Sequence, residues 1–209
     1  MNSREIVQSF VTECEKVKMA HDLFSALFDP CDDRKRELLQ SVAPKTFGDL
    51  NEILVGYMLL QFAKLTDPAK SMGHDNLTSN FIVEKLTWPP AVRDRLSAIN
   101  TRLMAFRAQI IDYRTKRGAH LDLDAHTWNP RTLGAFPQGA DDEFLRDLEE
   151  FLKIAMAHLD PDQHVTLRIA MSEDVDSLVL ALAKSVALDQ CPTCSPGGRA
   201  REVLDILGR

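Results

Sequence analysis

The longest regular pattern of hydrophobic positions lies between Pro90 and Gly118. Apolar residues recur there at alternating spacings of four and three, at Val92, Leu96, Ile99, Leu103, Phe106, Ile110 and Tyr113. This spacing is typical of a helix whose apolar stripe packs against other helices. Pro89 and Pro90 suit the start of such a helix, because proline loses no hydrogen bond in the first turn, and Gly118 suits a left-handed cap at its end. The sequence therefore predicts one long, buried helix over this stretch.

Helical spacing of apolar residues also predicts helices in the rest of the chain. They cover Ser3 to Phe28, Cys31 to Gln40, Thr46 to Leu65, Leu77 to Thr87, Asp141 to Leu159, Ser172 to Leu188 and Arg199 to Leu207. Prolines and glycines predict loops at 66–75 and 127–140, and a short extended piece is predicted around 165–169. The fold class is therefore all-α, an up-and-down helical bundle of about four long helices plus short extra helices. Residues 1–160 are predicted to form the bundle and residues 161–209 a helical extension packed on it, within a single domain.

Some side chains have predicted structural roles. Ser3, Thr46 with Asp49, and Asn76 are predicted to cap their helices, since short polar side chains accept hydrogen bonds from the first turn. His21 falls in the apolar stripe of the first helix and is predicted to be buried and satisfied by a neighbouring group. The predicted buried face of the helix 46–65 comprises Leu50, Ile53, Leu54, Tyr57, Met58 and Leu65.

Composition and charge limit the classes of function. The chain has 209 residues, 44% of them hydrophobic and 27% charged, which is ordinary for a globular protein. It contains no apolar run long enough to span a membrane and begins with polar residues, so a cytoplasmic protein is expected. The net charge of −6 means that any contact with nucleic acid must be local. A local surplus does exist, since five basic residues accompany one acid between positions 102 and 117: Arg102, Arg107, Arg114, Lys116 and Arg117.

Arg114 and His120 are the strongest candidates for chemistry. A permanent cation and a side chain that titrates near neutrality are both present at the end of the long helix, which suits a phosphate ester. A charge run by itself is more typical of a solvated helix face, but the neighbouring histidine favours a site. On an unbroken helix the two side chains would lie about 120° apart. They converge only if the chain bends at Gly118 or a second copy of the chain supplies one of them.

The stretch Tyr113 to Asp124, YRTKRGAHLDLD, resembles the signature of the HEPN superfamily, most closely its abortive-infection (AbiU-like) branch. The matching residues of this signature block are Arg114, Ala119, His120, Leu121 and Asp122. The stretch Leu59 to Leu77 resembles the upstream block of the same branch, with Leu65, Thr66, Asp67, Asn76 and Leu77 in place. Two positions depart from the pattern: Lys64 replaces an arginine, and Thr115 replaces Asn, Asp or His.

The resemblance implies a homodimeric endoribonuclease that cleaves RNA without a metal ion or other cofactor and leaves 2′,3′-cyclic phosphate ends. It implies that Arg114 and His120 are catalytic, and a role in phage defence or as a toxin, with an antitoxin protein as a candidate partner. The basic residues expected to bind the RNA backbone are Arg107, Lys116 and Arg117. The residues expected to support the site are Asp67, Asn76, Thr115 and Asp122.

Two alternatives remain open. Thr115, Lys64 and the acidic surface favour a non-catalytic HEPN dimer that binds RNA, a nucleotide or a partner protein, and an unrelated helical protein is the other reading. The four cysteines include one Cys-x-x-Cys pair, Cys191 and Cys194, which is half of a tetrahedral zinc site and is interpreted as a loop unless two protomers complete it. No phosphate-binding glycine loop, nucleophile turn or His-Glu-x-x-His helix is present.

Overall fold

The computed structural model describes residues 2–28, 32–113, 136–167 and 172–189. The helices are α1 (Ser3–Phe28), α2 (Asp33–Val42), α3 (Pro44–Leu65), α4 (Ser79–Lys85), α5 (Pro90–Tyr113), α6 (Ala140–Leu159) and α7 (Ser172–Asp189). Two short strands, β1 (Lys70–Ser71) and β2 (His74–Asp75), form an antiparallel hairpin between α3 and α4. The predicted all-α class is confirmed. Among the described helices, none is both long enough and apolar enough to cross a lipid bilayer.

The described residues divide into two compact units. The first contains residues 2–22, 52–113 and 136–167, and the second contains residues 23–28, 32–51 and 172–189. Within the second unit, α2 packs against α7. This grouping joins residues 23–28 and 32–51 with α7, whereas the sequence analysis assigned them to the bundle predicted over residues 1–160.

The core of the first unit is built around the apolar stripe of α5. Its buried residues are Leu96, Ile99, Leu103, Phe106 and Ile110, as the spacing of four and three predicts. α5 packs mainly against α6. Phe62 of α3, Phe106 of α5 and Phe144 of α6 form a ring cluster with centroid distances of 4.9–5.6 Å. This cluster fixes α3, α5 and α6 against each other. Its member in α5, Phe106, directly precedes Arg107 in the sequence.

Three predicted caps are wrong, although the helices they were assigned to exist. Asn2 caps α1 in a reciprocal pair with Glu5, since each side chain accepts a hydrogen bond from the backbone N–H of the other residue. α3 begins at Pro44 rather than at Thr46. The hydroxyl of Thr78 caps α4 by accepting a hydrogen bond from the Phe81 N–H at 3.1 Å. For α1 and α4, a polar residue close to the predicted one takes the role.

The predicted buried face of α3 is right for Met58 and Leu65, which are buried. Leu50 and Leu54 are half-buried, and Ile53 and Tyr57 are 65% and 39% exposed. Apolar spacing shows which residues share a helix face, whereas burial also requires a neighbouring element to cover that face. This face of α3 is therefore only partly covered in the described structure.

Other predicted elements fall partly or wholly outside the described residues. The predicted extended piece forms no strand over its described part, residues 165–167, although Val165 and Leu167 are buried. The helix predicted over 199–207 and the Cys-x-x-Cys pair lie outside the described residues, as does most of the loop predicted over 127–140. For these segments the sequence predictions stay predictions.

Candidate functional site

Three of the predicted site residues, Asp67, Asn76 and Arg107, belong to the described part of the chain. The remaining predicted site residues lie outside it: Arg114, Thr115, Lys116, Arg117, His120 and Asp122. In the sequence, Arg114 directly follows Tyr113, the last residue of α5, and lies seven residues after Arg107. The described part of α5 therefore reaches Tyr113, the first residue of the signature stretch.

Asp67 and Arg107 form an ion pair between the end of α3 and α5. Arg107 Nη2 donates to Asp67 Oδ1 at 2.9 Å, and only 16% and 12% of the two side chains, respectively, are exposed. The pair connects the upstream block, which contains Asp67, to the helix that leads into the signature block. A phosphate would have to share Arg107 with this carboxylate, so Arg107 is better suited to holding the site together than to binding RNA.

The chain turns tightly where Asp67 leaves α3. The backbone N–H groups of Thr66 and Asp67 donate to the carbonyls of Ala63 and Lys64, three residues back in each case. The Thr66 hydroxyl also donates to the Phe62 carbonyl at 2.9 Å. This tightened last turn satisfies carbonyls that would otherwise end the helix without partners.

Asn80 of α4 connects this turn to α5, a role that the sequence analysis missed. Its side-chain Nδ2 donates to the backbone carbonyls of Thr66 and Asp67, both at 3.0 Å, and its Oδ1 accepts from Asn100 Nδ2 at 2.8 Å. We call Thr66, Asp67, Asn80, Asn100 and Arg107 the polar network. A sequence signal was available, since Asn80 is followed directly by the apolar positions Phe81, Ile82 and Val83 of a short helix.

Asn76 closes the β-hairpin instead of capping α4. Its Nδ2 donates to the Pro68 carbonyl at 2.8 Å, and its backbone N–H donates to the Ala69 carbonyl at 2.9 Å. Met72 and Gly73 at the tip both have positive φ, 48° and 88°, as a two-residue hairpin turn requires. Asn76 thus stabilises the hairpin that follows Asp67. Its predicted role in supporting the catalytic site stays a prediction.

Arg102, another member of the predicted basic run, is also paired with carboxylates. Its Nε and Nη2 donate to Asp147 Oδ1 at 2.9 and 2.6 Å, and Nη2 lies 3.1 Å from Glu150 Oε2. The hydrogen bond to Asp147 is the main reason why the pKa of Arg102 is raised. Both basic residues of the run that lie in α5, Arg102 and Arg107, therefore form ion pairs with neighbouring carboxylates.

Comparison with protein-family models, curated proteins and solved structures found no match. The interpretation of the site depends on its own residues. Within the described ranges, no group of three or more histidine, cysteine, aspartate or glutamate side chains is arranged to hold a metal ion.

A second charged cluster joins α1 to the start of α6 and contains His21, which is buried as predicted. Its Nε2 has a partner, whereas its Nδ1 is buried without a hydrogen bond among the described residues. The His21 ring is buried, and its Nε2 lies 3.2 Å from Asp141 Oδ2 and 3.6 Å from Asp142 Oδ1. On α1, Asp22 lies beside the same ring and pairs with Lys18. The hydrogen bond from His21 lowers the pKa of Asp141, outweighing the opposite effect of its partial burial. This cluster fixes the first turn of α6 against α1.

Proposed function

We propose that this protein is a HEPN-type endoribonuclease that acts as a homodimer and cleaves RNA without a metal ion. The observation that supports the proposal best is the Asp67–Arg107 ion pair. It brings the upstream block of the resemblance against the helix that leads into the signature block. The upstream block thus lies against the helix whose last residue, Tyr113, is the first residue of the signature stretch.

The chemistry follows from the two candidate catalytic side chains. The imidazole of His120 acts as general base on the ribose 2′-hydroxyl or as general acid on the leaving 5′-oxygen. The guanidinium of Arg114 stabilises the negative charge that grows on the phosphate oxygens as the 2′-oxygen attacks phosphorus. The P–O5′ bond then breaks, and the products are a 2′,3′-cyclic phosphate and a 5′-hydroxyl. In a homodimer, the second protomer supplies a second His120, so that one imidazole takes the proton of the 2′-hydroxyl while the other donates a proton to the leaving 5′-oxygen.

Besides the catalytic Arg114, the proposal gives RNA binding to only two residues of the basic run. Arg102 and Arg107 have carboxylate partners, so the proposal assigns the backbone contacts to Lys116 and Arg117. Counterion release gives a slope of about −0.7 per phosphate contact with single strands. With Arg114, Lys116 and Arg117 each on one phosphate, the logarithm of the RNA-binding constant plotted against log salt should fall with a slope of about −2.1. If Arg107 also contacts a phosphate, the slope steepens to about −2.8.

The proposed biological setting is phage defence or toxicity restrained by an antitoxin, in the cytoplasm where RNA is the substrate. Expression of the parent protein in a bacterial host should then arrest growth, and expression of His120→Ala should not. Equal growth with both proteins would contradict a toxin role, while leaving the nuclease activity to be tested in vitro.

The decisive test is cleavage of mixed RNA by purified protein in EDTA. The parent protein should cleave under chelation and leave 2′,3′-cyclic phosphate ends, and both Arg114→Ala and His120→Ala should be inactive. Arg93→Ala and His74→Ala are matched controls, since both residues are exposed on the described surface. Purified in the same way, they should retain full activity, which also excludes a contaminating nuclease.

Other results would overturn the nuclease proposal. Equal cleavage by the parent protein and the two site variants would mean that Arg114 and His120 are not the catalytic pair. RNA binding without cleavage would favour the non-catalytic binding dimer. A dimer measured by light scattering does not discriminate between these functions, because both require it.

A further inference from the structure

Asn80 uses both the nitrogen and the oxygen of its side-chain amide inside the polar network. Its two N–H groups serve the carbonyls of Thr66 and Asp67, and its oxygen accepts from Asn100. The side chain is buried, with 9% of the residue exposed. Replacement would leave two buried carbonyls without this donor, and unsatisfied buried groups are destabilising.

The two carbonyls bound by Asn80 belong to the peptide groups on either side of the Asp67 α-carbon. Holding both peptide groups fixes the backbone dihedrals of Asp67, and with them the direction of its carboxylate. In the last turn of α3, the Asp67 N–H also donates to the Lys64 carbonyl, which further restrains the backbone at Asp67. Asp67 is therefore aimed at Arg107 by its backbone as well as by their mutual attraction.

On α5, the network follows one helix face. Asn100, Met104 and Arg107 are spaced by four and three residues, so they lie along one stripe beside the buried seam. Asn80 contacts the first two of them, since its Nδ2 also lies 3.3 Å from Met104 Sδ, and Asp67 binds the third. In the sequence, the same spacing continues to Ile111 and then to Arg114.

We infer that Asn80 is a positioning residue, which holds Asp67 against Arg107 on α5, the helix that ends at Tyr113 directly before Arg114 in the sequence. The inference rests on the proposed function for its consequence in RNA cleavage. The positioning of the ion pair can be measured without any activity.

The first test is a double-mutant cycle with Asn80→Ala and Arg107→Met, read as the equilibrium constant of unfolding in urea. If Asn80 positions the pair, replacing it matters less once Arg107 is gone, and the two effects should differ from additivity by about fivefold or more. Asn76→Ala in place of Asn80→Ala is the matched control, because Asn76 also donates to loop carbonyls. Additivity within about twofold for Asn80 and Arg107 would overturn the inference.

The second test separates positioning from folding. Asn80→Asp keeps an oxygen for Asn100 but replaces the donor with a second oxygen facing the two carbonyls. Its kcat for RNA cleavage should fall about tenfold to a hundredfold, while KM stays within about twofold and circular dichroism shows the native helix content. Asn80→Ala removes the same donor without adding a buried charge, so it is the milder variant to use if Asn80→Asp does not fold, and its kcat should fall in the same direction.

The outcomes distinguish the two proposals. If the parent protein does not cleave RNA, the proposed function fails, and the double-mutant cycle alone decides whether Asn80 positions the pair. If the parent cleaves and folded Asn80→Asp retains the parental kcat, the inference fails and the proposed function stands. Coupling in the cycle together with a selective loss of kcat would support both.

Discussion

The guanidinium of Arg107 lies 2.9 Å from the carboxylate of Asp67, although the two residues are 40 positions apart in the sequence. Both side chains are mostly buried, so water screens this pair less than it screens a surface pair. The contact ties the tight turn after α3 to α5. It gives the region that precedes the signature block one defined geometry, and it makes the stability of the first unit sensitive to either residue.

Arg107→Met should lower the free energy of unfolding by about 2–4 kcal/mol, because it removes one member of a mostly buried ion pair. Arg102→Met is the matched control on the same helix, since the Arg102 side chain is 49% exposed. Its loss should cost less than about 1 kcal/mol. Urea denaturation of the two variants measures both values. Equal losses would mean that burial of the Asp67–Arg107 pair has no special effect.

The ring cluster predicts a difference between a buried apolar position, Phe144 of α6, and an exposed one, Ile53 of α3. Phe144→Ala removes a buried ring that packs on Phe62 and Phe106, and it should destabilise the protein by about 3–5 kcal/mol. Ile53→Ala, at the exposed position of α3, should cost less than about 1 kcal/mol. Thermal unfolding checks both variants. A large effect of Ile53→Ala would show that another surface covers this face in solution, which a concentration-dependent Tm would reveal.

Much of the fold could be predicted because helical periodicity is a local property of the sequence. The stripe from Leu96 to Ile110 specifies both the helix and its buried face, and the structure confirms it. Exact helix starts were less predictable, since Thr78 and Asn76 are both good caps and only the hairpin geometry decides between them. Burial was least predictable where it depends on a distant element, as Ile53 shows.

The candidate site was only partly predictable for a related reason. Asp67 was identified through the upstream block, but its partner Arg107 was assigned to RNA, because a charge run does not show which cations face carboxylates. Asn80 was missed altogether, since its role depends on carbonyls 13 and 14 residues earlier in the chain. Hydrogen bonds between distant segments become visible only once the fold brings those segments together.

Cys14 should be inert to thiol reagents in the folded protein. It is fully buried, and burial raises the pKa of its thiol well above the ordinary value, so the reactive thiolate is rare. Peptide mapping after labelling with N-ethylmaleimide should show Cys14 reacting about 100-fold or more slowly in the native protein than in urea. Rapid labelling of Cys14 under native conditions would mean that α1 opens locally without global unfolding.

The His21–Asp141 contact predicts a loss of stability in acid. The folded-state pKa of Asp141 is lowered, chiefly by the hydrogen bond from His21, relative to an unfolded value of about 3.9. A group with a lowered folded pKa stabilises the protein above its unfolded pKa, and this contribution disappears as the pH falls through the folded value. The stability difference between the parent protein and Asp141→Asn should therefore be full at about pH 6 and shrink below about pH 4. Urea denaturation across this range measures the difference.

A second variant separates the histidine contact from the helix dipole. Glu143 lies in the same first turn of α6 and pairs with Arg146 rather than with His21. Asp141→Asn and Glu143→Gln both remove a carboxylate that favours the positive end of the helix, but only the first removes the partner of His21. If both variants change the acid dependence equally, the dipole accounts for the effect. If only Asp141→Asn changes it, Asp141 is the group whose protonation weakens the fold, through its contact with His21.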